Sequence, residues 1–214
     1  MPPSPLPPKL PTPIGFGATC LRAMLYILLI TGLMQGIYYE ALYLQDVRFS
    51  EYGFTELAQI VFLCIISALL LYIRHVLKAL PTVTLLMFAF VFSSLVRELD
   101  YFFDTYVFDG AWQVIVTLVI LPSLFMVIRK RHAFLAEFER YANSFSFGLF
   151  ASGFLVTYVF SRFFGRSELW IAILNENYAR TFKDIVEEVT ELLGYSLILI
   201  AVIELIMLAR RWRA

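Results

Sequence analysis

The chain has 214 residues and no formal net charge at neutral pH, yet 60% of it is hydrophobic, with 21 Phe, 12 Tyr and a mean hydropathy of +0.77. So apolar a composition excludes an ordinary soluble enzyme, and without a basic excess there is no electrostatic footprint for nucleic acid. The expected solvent is lipid.

The first thirteen residues, MPPSPLPPKLPTP, hold seven of the nine prolines and cannot continue a helix. Residues 1–17 are therefore expected to be a disordered cytoplasmic tail, and 18–214 a single transmembrane helical domain. Six stretches, near 18–39, 54–73, 80–103, 111–128, 145–164 and 185–209, supply the roughly 17 to 25 mainly apolar residues that a helix needs to cross a bilayer. They lack the period-two alternation of barrel strands. The predicted fold is all-α: a polytopic membrane helical bundle of about six transmembrane helices. Cys20 and Cys64 lie in or beside apolar runs with no close pairing in sequence and read as packing residues.

Basic residues set the expected orientation. With the N-terminus cytoplasmic, "VIRKRH" at 127–132 and "ARRWR" at 209–213 fall on the inner side, as the positive-inside rule requires, and an even number of helices returns the C-terminus there. Glu40, Glu51, Glu56, Glu98, Asp100, Asp104, Glu187, Glu188 and Glu191 then gather near the outer face. Neutral overall, the chain has a transverse separation of charge.

The acids are placed as a site. In DIVEEVTELLGY, Asp184, Glu188, Glu191 and Tyr195 recur every three or four residues on one helix face, with Glu187 one turn from Glu191. Glu56, with Gln59 on the same face, begins the second span, while Arg97, Glu98 and Asp100 end the third. Carboxylates at that depth need compensation, and one arginine does not neutralise them all. Protonation, an organic cation, or a hard divalent cation (Mg, Ca or Mn) at Glu98, Glu188 and Glu191 would supply it. Glu204 falls on another face of the last helix, within reach of Arg211 or another inner arginine, and is not assigned to this site.

Between the fifth and sixth spans, Trp170, Ile173, Leu174, Tyr178, Phe182 and Ile185 follow helical spacing, predicting an amphipathic interfacial helix over 168–184. Arg162, Arg166, Arg180 and Lys183 run against the positive-inside bias and are candidates for an anionic headgroup. Tyr101, Tyr106 and neighbouring tyrosines at the same level belong to an aromatic belt, and such rings beside carboxylates also suit a choline-like head. Pro122 should kink the fourth span.

His75 and His132 both sit beside inner arginines, and HExxH, GxSxG and P-loop patterns do not occur. The metal-ligand histidines of alkaline ceramidase-type membrane hydrolases are also missing. RELD at 97–100 followed by EEVTELLGY at 187–195 resembles bacterial polytopic membrane proteins in these motifs only, implying a bacterial inner membrane but no activity. The leading expectation is an outer-leaflet carboxylate cavity binding a cation or amphiphilic lipid headgroup, in a small transporter or lipid-handling protein. The alternatives are a metal-assisted lipid or lipid-phosphate hydrolase or transferase, and a structural subunit whose charges meet a membrane-protein partner.

Overall fold

The computed structural model describes residues 14–43 and 53–213. The Pro-rich tail through residue 13, together with Arg48 and Glu51, lies outside the described residues. The chain forms α1 (Phe16–Tyr43), α2 (Phe54–His75), α3 (Pro81–Glu98), α4 (Asp100–Tyr106), α5 (Ala111–Arg129), α6 (Arg131–Ala142), α7 (Phe145–Leu155), α8 (Ser161–Phe164), α9 (Ser167–Leu174) and α10 (Arg180–Arg211). A π turn, Val156–Phe160, joins α7 to α8 in one rod. Among the described residues no strand occurs, and six helices are long and apolar enough to cross a membrane: α1, α2, α3, α5, the rod Phe145–Phe164, and α10. The molecule is the expected all-α bundle of a membrane protein.

Helix α10 is the axis. Leu192, Tyr195, Ile198, Leu199, Val202 and Leu205 are buried at helical spacing, against Leu63, Ile66, Leu70 and Ile73 of α2 and Val83, Met87, Val91 and Leu95 of α3. Because lipid tails are as apolar as leucine, contact between spans depends on close packing, and small residues permit it. At Gly194 an added Cβ would fall 1.8 Å from Thr157 Oγ1, and at Gly153 it would fall 2.8 Å from the Gly194 carbonyl. By contrast, α1 and α5 turn residues such as Leu25, Leu28, Leu118 and Phe125 outward, as lipid-facing helices do. Cys20 and Cys64 are free and exposed, so neither is the packing residue expected.

Two helix starts are capped from another helix. Gly53 and Leu80, the residues before α2 and α3, make no side-chain cap. Instead Glu40 of α1, fully buried, accepts from Thr55 N at 3.0 Å and Thr55 Oγ1 at 2.5 Å. Glu137 of α6 accepts from Thr82 N at 2.8 Å, Thr82 Oγ1 at 2.6 Å and Val83 N at 3.1 Å. In each case a carboxylate satisfies orphan N–H groups at the positive end of a helix dipole. Glu40 is therefore a cap, and α6 arises where the sequence suggested only a connection. At the same end, Arg213 donates to the Val76 carbonyl at 3.1 Å and to that of Leu77, tying the end of α10 to the α2–α3 turn.

Three boundaries depart from the sequence reading. The third run splits at Leu99, whose ψ of 16° ends α3 and turns the polar continuation into α4. The interfacial helix before the last span is α9, and it stops at Leu174. Asn175 takes a φ of +49°, which asparagine tolerates better than most residues, and Ala179 is extended. Helix α10 therefore starts at Arg180 instead of near 185, placing Glu191 about 16 Å along its axis. Pro122 lies within α5, which continues through it from Ala111 to Arg129.

Candidate functional site

The acidic face of α10 meets the start of α2 and the ends of α3 and the α7–α8 rod in a connected network. Glu191, 2% exposed, is its centre. Its Oε1 accepts from Arg162 Nη2 at 2.6 Å and lies 3.2 Å from Ser161 Oγ, while its Oε2 accepts from Arg97 Nη2 at 3.3 Å. The π turn delivers Ser161 and Arg162 to this position. In that turn the Ser161 N–H reaches back five residues to the Val156 carbonyl, shifting the phase of everything after it.

Arg97 also donates to Glu98 Oε1 at 2.9 Å, and the Tyr195 hydroxyl donates to the same oxygen at 2.9 Å. Both donors use Oε1, so Glu98 Oε2 accepts no hydrogen bond from the described residues. Arg162 Nη1 holds Glu187 at 2.7 Å, with Lys183 Nζ 3.8 Å from the other oxygen. Gln59 Nε2 donates to the Glu188 carboxylate at 2.9 Å and to its carbonyl at 3.0 Å, while buried Gln59 Oε1 has no partner among the described residues. Glu188 is within electrostatic reach of Glu191, Glu98 and Glu56. Among the described residues, Arg97, Arg162 and Lys183 are the cations within 4 Å of Glu98, Glu187 and Glu191.

Beside this network is a half-open recess of about 160 Å³, lined by Glu56, Ile60, Glu98, Leu99, Tyr101, Phe102 and Tyr106. Its three aromatic residues are more than half exposed, so the rim presents ring faces next to two carboxylates. The break at Leu99 makes this geometry possible, because α4 turns away from α3 and carries the rings over the end of α2.

The structure brings together Arg97, Glu98, Glu187, Glu188 and Glu191, with Glu56 beside them at the recess. Asp100 does not join: it is exposed, and its Oδ1 accepts its neighbour's Tyr101 N–H at 2.6 Å. Of the four basic headgroup candidates, Arg162 and Lys183 share the Glu187 carboxylate, and Lys183 and Arg180 share that of Asp184. Arg162 is engaged by Glu187 and Glu191, Lys183 lies 3.2 Å from Asp184, exposed Arg180 lies 3.9 Å from Asp184, and Arg166 is exposed with no ion pair among the described residues. Glu98, Glu188 and Glu191 do not form a ligand set either. Among the described residues no three His, Cys, Asp or Glu side chains are disposed to hold a metal ion.

Sequence reasoning missed Ser161 and the pairing of Arg162. The available signal was an arginine at an outer helix end, against the charge bias and level with buried acids. No family model, no curated relative and no solved structure matches this chain.

Proposed function

We propose that the protein binds a small organic cation, or the ammonium end of a lipid headgroup, in the recess between Glu56, Glu98 and the aromatic residues of α4. The observation that carries this reading is that a carboxylate and exposed aromatic residues line one small space: among the described residues Glu98 Oε2 accepts no hydrogen bond, and Tyr101, Phe102 and Tyr106 form the rim. An ammonium group there gains Coulomb attraction from the Glu98 carboxylate, plus cation–π attraction of about 0.5–2 kcal/mol from a suitably placed ring. A divalent metal would need several converging oxygen ligands. Among the described residues no three His, Cys, Asp or Glu side chains converge to supply them.

On this reading the site faces the outer leaflet of a bacterial inner membrane with both termini cytoplasmic, and membrane lipids are the natural partners. A recess that opens beside exposed rings at a helix end suits lateral entry of a headgroup, as in a lipid-handling protein or small transporter. The Arg97–Glu98–Glu191–Arg162 network holds Glu98 in place.

The test is thermal unfolding of the purified protein in detergent, with tetramethylammonium, choline, ethanolamine and magnesium added in turn. Ligand bound to the native state raises stability by mass action. Choline or ethanolamine should raise Tm in a saturable way while magnesium does not, and Glu98→Gln and Tyr106→Leu should remove the shift without preventing folding. A shift with magnesium alone, or an equal choline shift in both variants, would overturn the proposal.

A further inference from the structure

A cavity of about 350 Å³ lies between α3, α6 and α7, in the half of α3 remote from the acidic network. Its lining surface is wholly apolar. Six phenylalanines line it: Phe90 of α3, Phe134 and Phe138 of α6, and Phe147, Phe150 and Phe154 of α7. Tyr141 contributes only its ring, because its hydroxyl is turned to Ser146 Oγ, which donates to it at 3.3 Å. The packing of the bundle leaves this gap. Helix α3 packs on α2 and α5, whereas α7 packs on α10. At one end of the cavity α3 meets the rod through Phe90, whose ring lies 5.2 Å from that of Phe154 and 4.7 Å from that of Tyr158, and through a hydrogen bond between Ser94 and Tyr158. At the other end α6 bridges the two helices: Glu137 caps α3, and the rings of Phe138 and Tyr141 stand edge-on to Phe147 at 5.7 and 5.5 Å.

Walls and surroundings together choose the occupant. A cavity without polar partners does not hold ordered water, and an apolar void left empty forfeits the dispersion contacts of the atoms around it. Phe138 is 39% and Phe154 37% exposed, so the cavity opens sideways from helices long and apolar enough to lie in hydrocarbon. From Val83 to Phe90, and from Phe147 to Phe154, its walls follow about 10 Å of helix, most of the roughly 15 Å of hydrocarbon in one leaflet. That is the shape of a slot for a chain lying along the helices. The segment entering α6 supplies the headgroup chemistry. Arg129, Lys130 and Arg131 are consecutive and exposed, and no carboxylate pairs with any of them among the described residues. Arg131 opens α6 three residues before Phe134 and seven before Phe138, the spacing of one helix stripe. Cations and chain-lining rings therefore follow one another on the same helix.

We propose that this cavity holds one acyl chain of an anionic phospholipid whose phosphate lies against Arg129, Lys130 and Arg131. The site is independent of the recess at the other end of α3: it takes the chain of a lipid instead of a cationic head, and the charge beside it is of opposite sign. A chain seated there completes the packing of α3 against α7 where the two helices do not close on each other.

The test places a reporter in the cavity wall of the full chain. With Trp112, Trp170 and Trp212 replaced by Phe, Phe150→Trp puts the one indole at the cavity, and Leu118→Trp on the outward side of α5 serves as the control. In phosphatidylcholine nanodiscs doped with chain-brominated phosphatidylglycerol, the Phe150→Trp indole should be quenched several-fold more than the Leu118→Trp indole. Brominated phosphatidylcholine at the same fraction should quench the two alike. Changing Arg129, Lys130 and Arg131 together to Gln should weaken the phosphatidylglycerol effect by about tenfold or more, since each cation near an anionic lipid is worth about fivefold in binding. Should the tryptophan variants fold poorly, native mass spectrometry of the unmodified protein supplies the second measurement. One phosphatidylglycerol should stay bound where phosphatidylcholine is lost, and Leu86→Trp, which narrows the cavity, should release it. Equal quenching at the two positions would overturn the proposal. So would equal quenching of Phe150→Trp by the two brominated lipids, or phosphatidylglycerol retention unchanged in Leu86→Trp.

Discussion

Arg162 reaches Glu191 at 2.6 Å through Nη2 and holds Glu187 at 2.7 Å through Nη1, so one guanidinium from the fifth span clamps two carboxylates one turn apart on α10. Arg97 approaches Glu191 from the other side at 3.3 Å. The most buried acid of this network is thus held between two spans that are far apart in sequence.

Removing one sign of charge from such a network should cost more than removing both. Arg97→Met leaves Glu98 with Tyr195 and strips one cation from Glu191, and breaking a buried pair in this way costs about 3–5 kcal/mol. The triple change Arg97→Met, Glu98→Gln, Glu191→Gln leaves the Arg162–Glu187 pair intact and should recover most of that loss. Thermal or denaturant unfolding in detergent measures both. Equal destabilisation by the single and triple variants would show that charge balance is not what matters at this site.

Close approach of the fifth span to α10 sets a second expectation. Gly194→Ala places a methyl group 1.8 Å from Thr157 Oγ1 and 2.9 Å from Thr157 N, an overpacking that should cost about 1–3 kcal/mol. Adding Thr157→Ala removes the hydroxyl but not the backbone contact, so rescue should be partial. Full rescue would mean that the backbones separate easily.

The capping glutamates make a residue-level prediction. Glu137→Ala should destabilise by about 1 kcal/mol and speed hydrogen exchange at Thr82 and Val83, the amides that donate to it. Glu137→Gln keeps an acceptor oxygen and should cost less. Unchanged exchange at those two amides in the alanine variant would remove the cap assignment.

Much of this architecture was legible in sequence because hydropathy reports solvent directly. The fourth and fifth apolar runs, near 111–128 and 145–164, match α5 and the α7–α8 rod closely, and the acidic stripe from Glu188 to Tyr195 does face one region. What composition cannot convey is pairing across spans. By sequence Arg162 is a candidate for an anionic headgroup, and its actual partners come from a helix that approaches through Gly153 and Gly194. Glu40 and Glu137 look like rim charges until the helix starts they satisfy are brought beside them. Asn175 and Leu99 ended helices through backbone angles that apolar periodicity does not encode.

Orientation is tested by reporters. A fusion after Arg213 should report the cytoplasm and an insertion near Asp109, in the turn between α4 and α5, should report the exterior, as the basic inner connections predict. A cytoplasmic report from the Asp109 insertion would reverse the assignment of the recess, and both reporters on one side would require a different number of spans.

The π turn gives the fifth span two independent rotational settings. Its N-terminal half is indexed by Gly153 against α10, while its C-terminal half is indexed by the ion network, and the one surplus residue in Val156–Phe160 reconciles them. Winding the same residues as an unbroken α-helix would swing Ser161 and Arg162 by roughly 100° around the rod axis. Hydropathy and net charge would hardly change, yet both donors would leave Glu191. A frame of one residue, invisible to any tally of side-chain types, thereby decides whether the outer acids are neutralised from within the bundle.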